Sequence, residues 1–125
     1  MSKEPFYVTT PIYYVNGEPH IGTAYTTVAT DATARFARMD GRDVFFLTGM
    51  DEHGEKVAEA AAAHGMTPQE WCDSQVTQFT ELWRDLDITN DDFIRTTQPR
   101  HVKGVQDFMQ KLHDNGYLYL SLIHI

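Results

Sequence analysis

One pattern, used twice, constrains this chain more than any other feature: a short β-rich apolar run, a glycine-bearing turn, then a helical pattern. The first copy is Phe6-Tyr7-Val8-Thr9-Thr10, leading into Tyr13-Tyr14-Val15-Asn16-Gly17-Glu18-Pro19-His20-Ile21-Gly22-Thr23. The second is Asp43-Val44-Phe45-Phe46-Leu47-Thr48, leading into Gly49-Met50-Asp51-Glu52-His53-Gly54. A helix start leaves backbone N–H groups unpaired and carries the positive end of the helix dipole, so each turn can hold a phosphate. Two such turns in one short chain point to a nucleotide site.

The remaining pattern completes an alternating α/β order. Residues 6–10 read as strand one, closed by Pro11 and buried on both faces because the run is continuously apolar. From residue 20 to about 40 the spacing is helical. Ile21, Ala24, Tyr25, Val28, Ala32, Phe36 and Met39 fall on one stripe expected to face the core, with Gly41 as the stop. Residues 43–48 are strand two, and residues 55–64 an alanine-rich helix capped by Gly65. Thr67, Pro68 and Glu70 then read as N-cap, first helical residue and capping-box partner. Trp71, Val76 or Gln75, Phe79, Leu82, Trp83 and Leu86 form that helix's apolar stripe. Residues 92–96 are a short third strand. Pro99 opens a last helix with a buried face of Val102, Val105, Phe108, Met109 and Leu112, ended by Asn115-Gly116. Residues 117–120 read as the start of another strand.

The order β-α-β-α-α-β-α implies a parallel sheet with helices on its faces and right-handed crossovers. Ligands of such sheets sit beyond the carboxyl ends of the strands. Residues 14–22 and 50–54 both fall on that edge and are expected to converge on one site.

Composition narrows the partners. An apolar share of 42% and a charged share of 22% are those of a folded domain. Ten Lys and Arg against 18 Asp and Glu give a net charge of −8, which argues against nonspecific nucleic-acid binding by this segment. A nucleic acid held by another part of a longer protein stays open. Cys72, the single cysteine, rules out an internal disulfide or a cysteine zinc cluster and fits a reducing compartment. No apolar run has the length of a membrane span, and the start lacks the apolar core of a secretory signal, so the chain reads as cytoplasmic. Residues 121–125 end in an apolar run without cap or turn; they are expected to be a truncated or non-native tail on a domain unit spanning residues 5–120.

His20 is the central candidate. Its imidazole N–H can donate to a phosphate oxygen, or the residue can simply cap the helix. Gly22 can let an adenine ring lie on bare backbone, or serve close helix-on-strand packing. Asp51, at a strand end, can neutralise a substrate ammonium group or form a turn or cap. Glu52 and His53 lack the helical spacing of a metal pair. Tyr13 and Tyr14 suit a pocket wall or the core.

The run Tyr14-x-Asn16-x-x-Pro19-His20-Ile21-Gly22 resembles the first motif of class I aminoacyl-tRNA synthetases, whose catalytic domain opens with a Rossmann-like half. The run Thr48-Gly49-x-Asp51-Glu52-His53-Gly54 is similar to the segment found in methionyl-tRNA synthetases, as is Arg95-Thr96-Thr97-x-Pro99-x-His101. The resemblance covers residues 5–119. It implies a Rossmann-like parallel sheet with flanking helices, the first half of a class I catalytic domain. It implies that His20, Gly22 and Thr23 contact ATP, with His20 and Thr23 catalytic, across a motif of Tyr14, Asn16, Gly17, Pro19, His20, Ile21, Gly22, Thr23 and Ala24. It implies that Pro11, Ile12 and Tyr14 line a methionine pocket and that Asp51 holds the methionine ammonium group. The family's second motif histidine is Thr23 here, whose hydroxyl can donate to a phosphate oxygen but carries no positive charge.

The reaction implied is methionine activation by ATP with Mg²⁺, then transfer to tRNA(Met). The family's lysine-rich Lys-Met-Ser-Lys-Ser loop, its zinc-bearing insertion and its anticodon-binding domain are expected beyond residue 120. The segment alone is therefore expected to be inactive, with zinc possible only in that insertion. Two other readings stay open: a small nucleotidyltransferase sharing the His-x-Gly turn, and a noncatalytic α/β interaction module.

Overall fold

In the computed structural model, which describes residues 3–121, the chain runs β1 (Pro5–Thr9), β2 (Tyr13–Tyr14), α1 (Ile21–Met39), β3 (Asp43–Asp51), α2 (Glu55–Ala63), α3 (Pro68–Asp85), β4 (Asp92–Arg95) and α4 (Pro99–Asp114). All pairings are parallel, and β3 is the central strand. Leu47 is the register partner of both Thr9 and Asp92, and Met50 of both Tyr13 and Arg95. Hence β1 and β2 lie in succession along one side of β3, and β4 along the other. The α/β class and the parallel sheet with flanking helices are as the alternation predicts. The short strand β2 is an addition. The expectation for the tail concerns one described residue, Ser121; residues 122–125 lie outside those described. Among the described residues no helix is long and apolar enough to cross a membrane.

Local signals explain most boundaries. Thr67 accepts from the Glu70 N–H, and the Glu70 carboxylate accepts from the Thr67 N–H at 2.8 Å, so α3 opens with the capping box and Pro68 that its sequence announces. Gly41 ends α1 at φ 83°, a left-handed conformation that favours glycine. Strand β3 runs three residues beyond its predicted end. Gly49 permits this, because a Cβ there would lie 2.1 Å from the Ile94 carbonyl oxygen, and only a bare α-carbon lets β4 approach.

The main core is built by α2, α3 and the carboxyl end of the sheet: Val15, Met50, Val57, Ala61, Trp71, Cys72, Phe79 and Trp83. Tyr13 stacks on Phe79 at 6.0 Å between ring centroids, and the Trp71 indole donates to the Val15 carbonyl at 2.6 Å. On α3, Gln75 is buried and Val76 only partly so, while Leu86 is exposed rather than part of the stripe.

Four expectations about burial and strands fail. Strand β1 is not buried on both faces. Tyr7 and Phe45, register partners across β1 and β3, are both exposed and stack on each other at 6.0 Å. Helix α1 turns its expected core face outward, with Ile21 87%, Phe36 66% and Met39 83% exposed. It buries Thr23, Thr27, Asp31, Ala34 and Ala37 instead. Small side chains let the helix sit close on the sheet, and the polar ones are satisfied: Thr27 meets the Tyr13 hydroxyl at 2.8 Å, and Asp31 accepts from the Thr89 N–H at 2.7 Å. Helix α4 buries none of its residues. Residues 117–121 form no strand; the Tyr117 N–H bonds back to the Leu112 carbonyl at 3.0 Å, closing the helix end.

Candidate active site

The carboxyl edge of the sheet gathers both glycine-bearing turns, because β2 pairs with the end of β3. Tyr13 is the register partner of Met50 and Tyr14 of Asp51. Side chains at paired positions of neighbouring strands share a face, so Tyr14 and Asp51 lie side by side. A cavity of about 200 Å³ opens beside them, lined by Ile12, Tyr14, Asn16, Gly17, His20 and Thr23, with Tyr13, Glu18 and Phe79 completing its wall. A second hollow of about 380 Å³ shares Tyr14 and Asn16 with the first and extends to His53 and the start of α2. Of the sequence-predicted positions, Pro11, Pro19, Ile21, Gly22, Ala24 and Asp51 do not line the first cavity, although each adjoins a residue that does.

His20 is the N-cap of α1. Its Nδ1 accepts from the Gly22 N–H at 3.1 Å, and its backbone N–H donates to the Thr23 hydroxyl oxygen at 2.9 Å. An Nδ1 that accepts carries no proton, so the neutral ring holds its proton on Nε2. Nε2 has no partner among the described residues. Capping and ligand binding are therefore compatible, since the cap uses one ring nitrogen and fixes the direction of the other.

Gly22 has a role that neither sequence reading gave it. A Cβ there would lie 3.0 Å from His20 Cε1 and 3.1 Å from Nδ1, so the glycine makes room for the imidazole itself. The buried Thr23 hydroxyl donates to the His20 carbonyl at 2.8 Å, and this structure therefore uses it inside the cap.

Asp51 is half-buried at the end of β3. Its carboxylate makes no hydrogen bond or ion pair among the described residues, and the N-cap of α2 is Gly54. The turn-or-cap role open to an aspartate at a strand end is not the one seen.

Glu52 was missed as a structural element. Its side chain is 0% exposed, and its carboxylate accepts from Arg95 Nε at 2.5 Å and from the Thr97 hydroxyl. The second arm of Arg95 reaches Asp73 on α3 at 2.5 Å. Burial opposes the Arg95 charge, but the bonds to Glu52 and Asp73 outweigh it and raise the guanidinium pKa. The Glu52 N–H donates to the Thr96 hydroxyl at 2.9 Å, the Thr96 N–H to the Met50 carbonyl at 3.2 Å, and His53 Nε2 to the Thr96 carbonyl at 3.3 Å. Cys72 is buried beneath, its thiol directed to the Glu52 carbonyl at 3.9 Å; burial, then the Glu52 charge, push its pKa up to about 11. The available sequence signals were that Arg95 closes a short strand and that Arg95-Thr96-Thr97 belongs to a run similar to the methionyl family's. Among the described residues no three His, Cys, Asp or Glu side chains converge on a metal position.

Comparison with known proteins shows the family. The family model described as tRNA synthetases class I (M) matches residues 6–125. The methionine–tRNA ligase of Thermotoga maritima is 59% identical over 117 residues, spanning 94% of this chain and 19% of that protein. The Streptomyces coelicolor ligase is 56% identical over 115 residues, 91% of this chain and 21% of that protein. Among solved structures, the Mycobacterium tuberculosis methionyl-tRNA synthetase in complex with methionyl-adenylate superposes with a TM-score of 0.88 at 45% identity, covering 90% of this chain and 22% of that one. The chain thus spans about a fifth of the length of the curated relatives it matches.

Proposed function

This chain belongs to the class I tRNA synthetases, in their methionyl branch, and from that membership we propose that it forms the amino-terminal, nucleotide-binding part of a methionine–tRNA ligase. The protein activates methionine with ATP to methionyl-adenylate and transfers the methionyl group to tRNA(Met), in the cytoplasm. The observation that carries this reading is the unpartnered Asp51 carboxylate beside Tyr14, whose ring walls the cavity that His20 also lines. A relative solved with methionyl-adenylate supports it. The small-nucleotidyltransferase reading is set aside by a family match that runs through nearly the whole chain.

In the first step the methionine carboxylate attacks the α-phosphorus of ATP and pyrophosphate leaves. In the second, a hydroxyl of the tRNA's terminal adenosine attacks the activated carbonyl and AMP leaves. Asp51 pairs with the methionine ammonium group, Ile12 and Tyr14 wall the unbranched thioether, with Pro11 directly before them in the chain, and His20 Nε2–H donates to a phosphate oxygen as charge grows there. Gly22 and Thr23 hold that imidazole in place through the cap. Mg²⁺ accompanies the ATP phosphates as part of the substrate. Transfer of this kind relies on position and charge neutralisation.

Methionine-dependent exchange of pyrophosphate into ATP by the full-length protein is the test. Exchange that requires methionine is the expected result. Its absence in folded protein overturns the proposal in favour of a noncatalytic α/β module.

A further inference from the structure

We propose that the Glu52–Arg95 pair is a positioning device for Asp51, locking the end of β3 so that the neighbouring carboxylate is presented to the amino acid's ammonium group. The inference rests on the reading of Asp51 given above and adds to it a pair that never touches substrate.

Three observations carry it. Glu52, the residue directly after β3, has a fully buried side chain, whereas Asp51, the last residue of the strand, stays partly exposed, so the chain is anchored immediately beside the carboxylate it presents. Next, the anchor holds backbone as well as side chain: the N–H of Glu52 and the carbonyl of Met50, on either side of Asp51, are both bonded to Thr96. With Tyr14 in register on the β2 side, residue 51 is flanked by β2 on one side and by Thr96, the residue that follows β4, on the other. The third is a contrast of satisfaction. Both Glu52 oxygens are bonded, and Arg95 divides its donors between Glu52 and Asp73, whereas the carboxylate one residue earlier has no partner among the described residues. A sequence that leaves one acid open and fully ties the next separates presenting a charge from holding it still. An ion pair this buried is poor evidence for stability, because desolvation offsets most of the attraction. Its fixed geometry is the more economical account.

The test is a double-mutant cycle on the full-length protein, read by calorimetric titration of methionine and, separately, of ATP. Glu52→Gln keeps the side chain's size and raises the methionine Kd about tenfold, with the ATP Kd within about twofold of wild type. Asp51→Asn alone raises the methionine Kd further. Glu52→Gln added to Asp51→Asn then has no additional effect on methionine, because the carboxylate it positions is gone. A merely structural pair gives the same loss in both backgrounds. Should Glu52→Gln fail to fold, Thr97→Val takes its place, since it removes one bond to the same carboxylate and leaves the ion pair. Equal losses in both backgrounds, or a methionine Kd unchanged by Glu52→Gln and Thr97→Val, overturn the positioning role alone. An unchanged methionine Kd in Asp51→Asn overturns the underlying reading of Asp51 instead.

Discussion

His20 caps its helix with one ring nitrogen and keeps the other unpartnered among the described residues. Its Nδ1 is occupied by the Gly22 N–H, and a Cβ at Gly22 would crowd the imidazole at 3.0 Å. His20→Ala loses both uses, and the two losses are measured separately. The cap costs about 1 kcal/mol of stability, read as a lower urea midpoint. The donor costs on the order of 10²–10³-fold in kcat for adenylate formation, with little change in the KM for methionine, because it acts on charge that develops in the transition state. His20→Asn separates them, since asparagine caps well but cannot reach as far: stability should return while kcat stays low. A kcat restored by asparagine would reduce His20 to a cap.

Between elements, the decisive contact is the crossing of β3 and β4 at Gly49. A methyl group there would sit 2.1 Å from the Ile94 carbonyl oxygen and 2.6 Å from its side chain. Gly49→Ala should therefore cost about 3 kcal/mol, the upper end for over-packing, because the obstacle is backbone and cannot turn away. Equilibrium unfolding in urea measures it, and a loss under about 1 kcal/mol would mean that β4 slides freely. The same scale separates what could be read in the sequence from what could not. The start of helix α3 was legible to the residue because its cap and proline agree, while its apolar stripe was drawn one residue past the helix, to the exposed Leu86. That the run before α1 meets the end of β3 at the carboxyl edge followed from the parallel order alone. Helix α1 was read inside out, because an apolar stripe outweighs small residues when only periodicity is consulted. The spacing Thr23, Thr27, Asp31, Ala34 was equally regular, and a close approach to the sheet selects it. Glu52 was passed over because its partner lies on another strand, Arg95, and no local spacing announces such a pair.

For the whole molecule, charge pairing sets the response to acid. Asp31 is held below the usual aspartate range: burial would raise it, but bonds from Thr89 and Arg35 prevail. Hydrogen bonds from Arg95 lower Asp73, those from Arg100 lower Asp92, and the Thr67 N–H lowers Glu70. A carboxyl group whose folded pKa is depressed adds stability above its unfolded pKa and loses it as pH falls through the folded value. The thermal midpoint should thus hold level down to about pH 4 and fall steeply below it. Asp31→Asn, the change at the most buried of these groups, should lower the neutral-pH midpoint and flatten the acid limb; an acid limb unchanged by it would exclude Asp31 as a contributor. Cys72 then takes on a use of its own. It is the chain's single thiol, buried under the turn that carries Asp51 and Glu52, with a pKa near 11. At neutral pH it reacts with an alkylating reagent only while that turn is lifted, so its labelling rate is a clock for the opening of the end of β3, installed without any engineered probe.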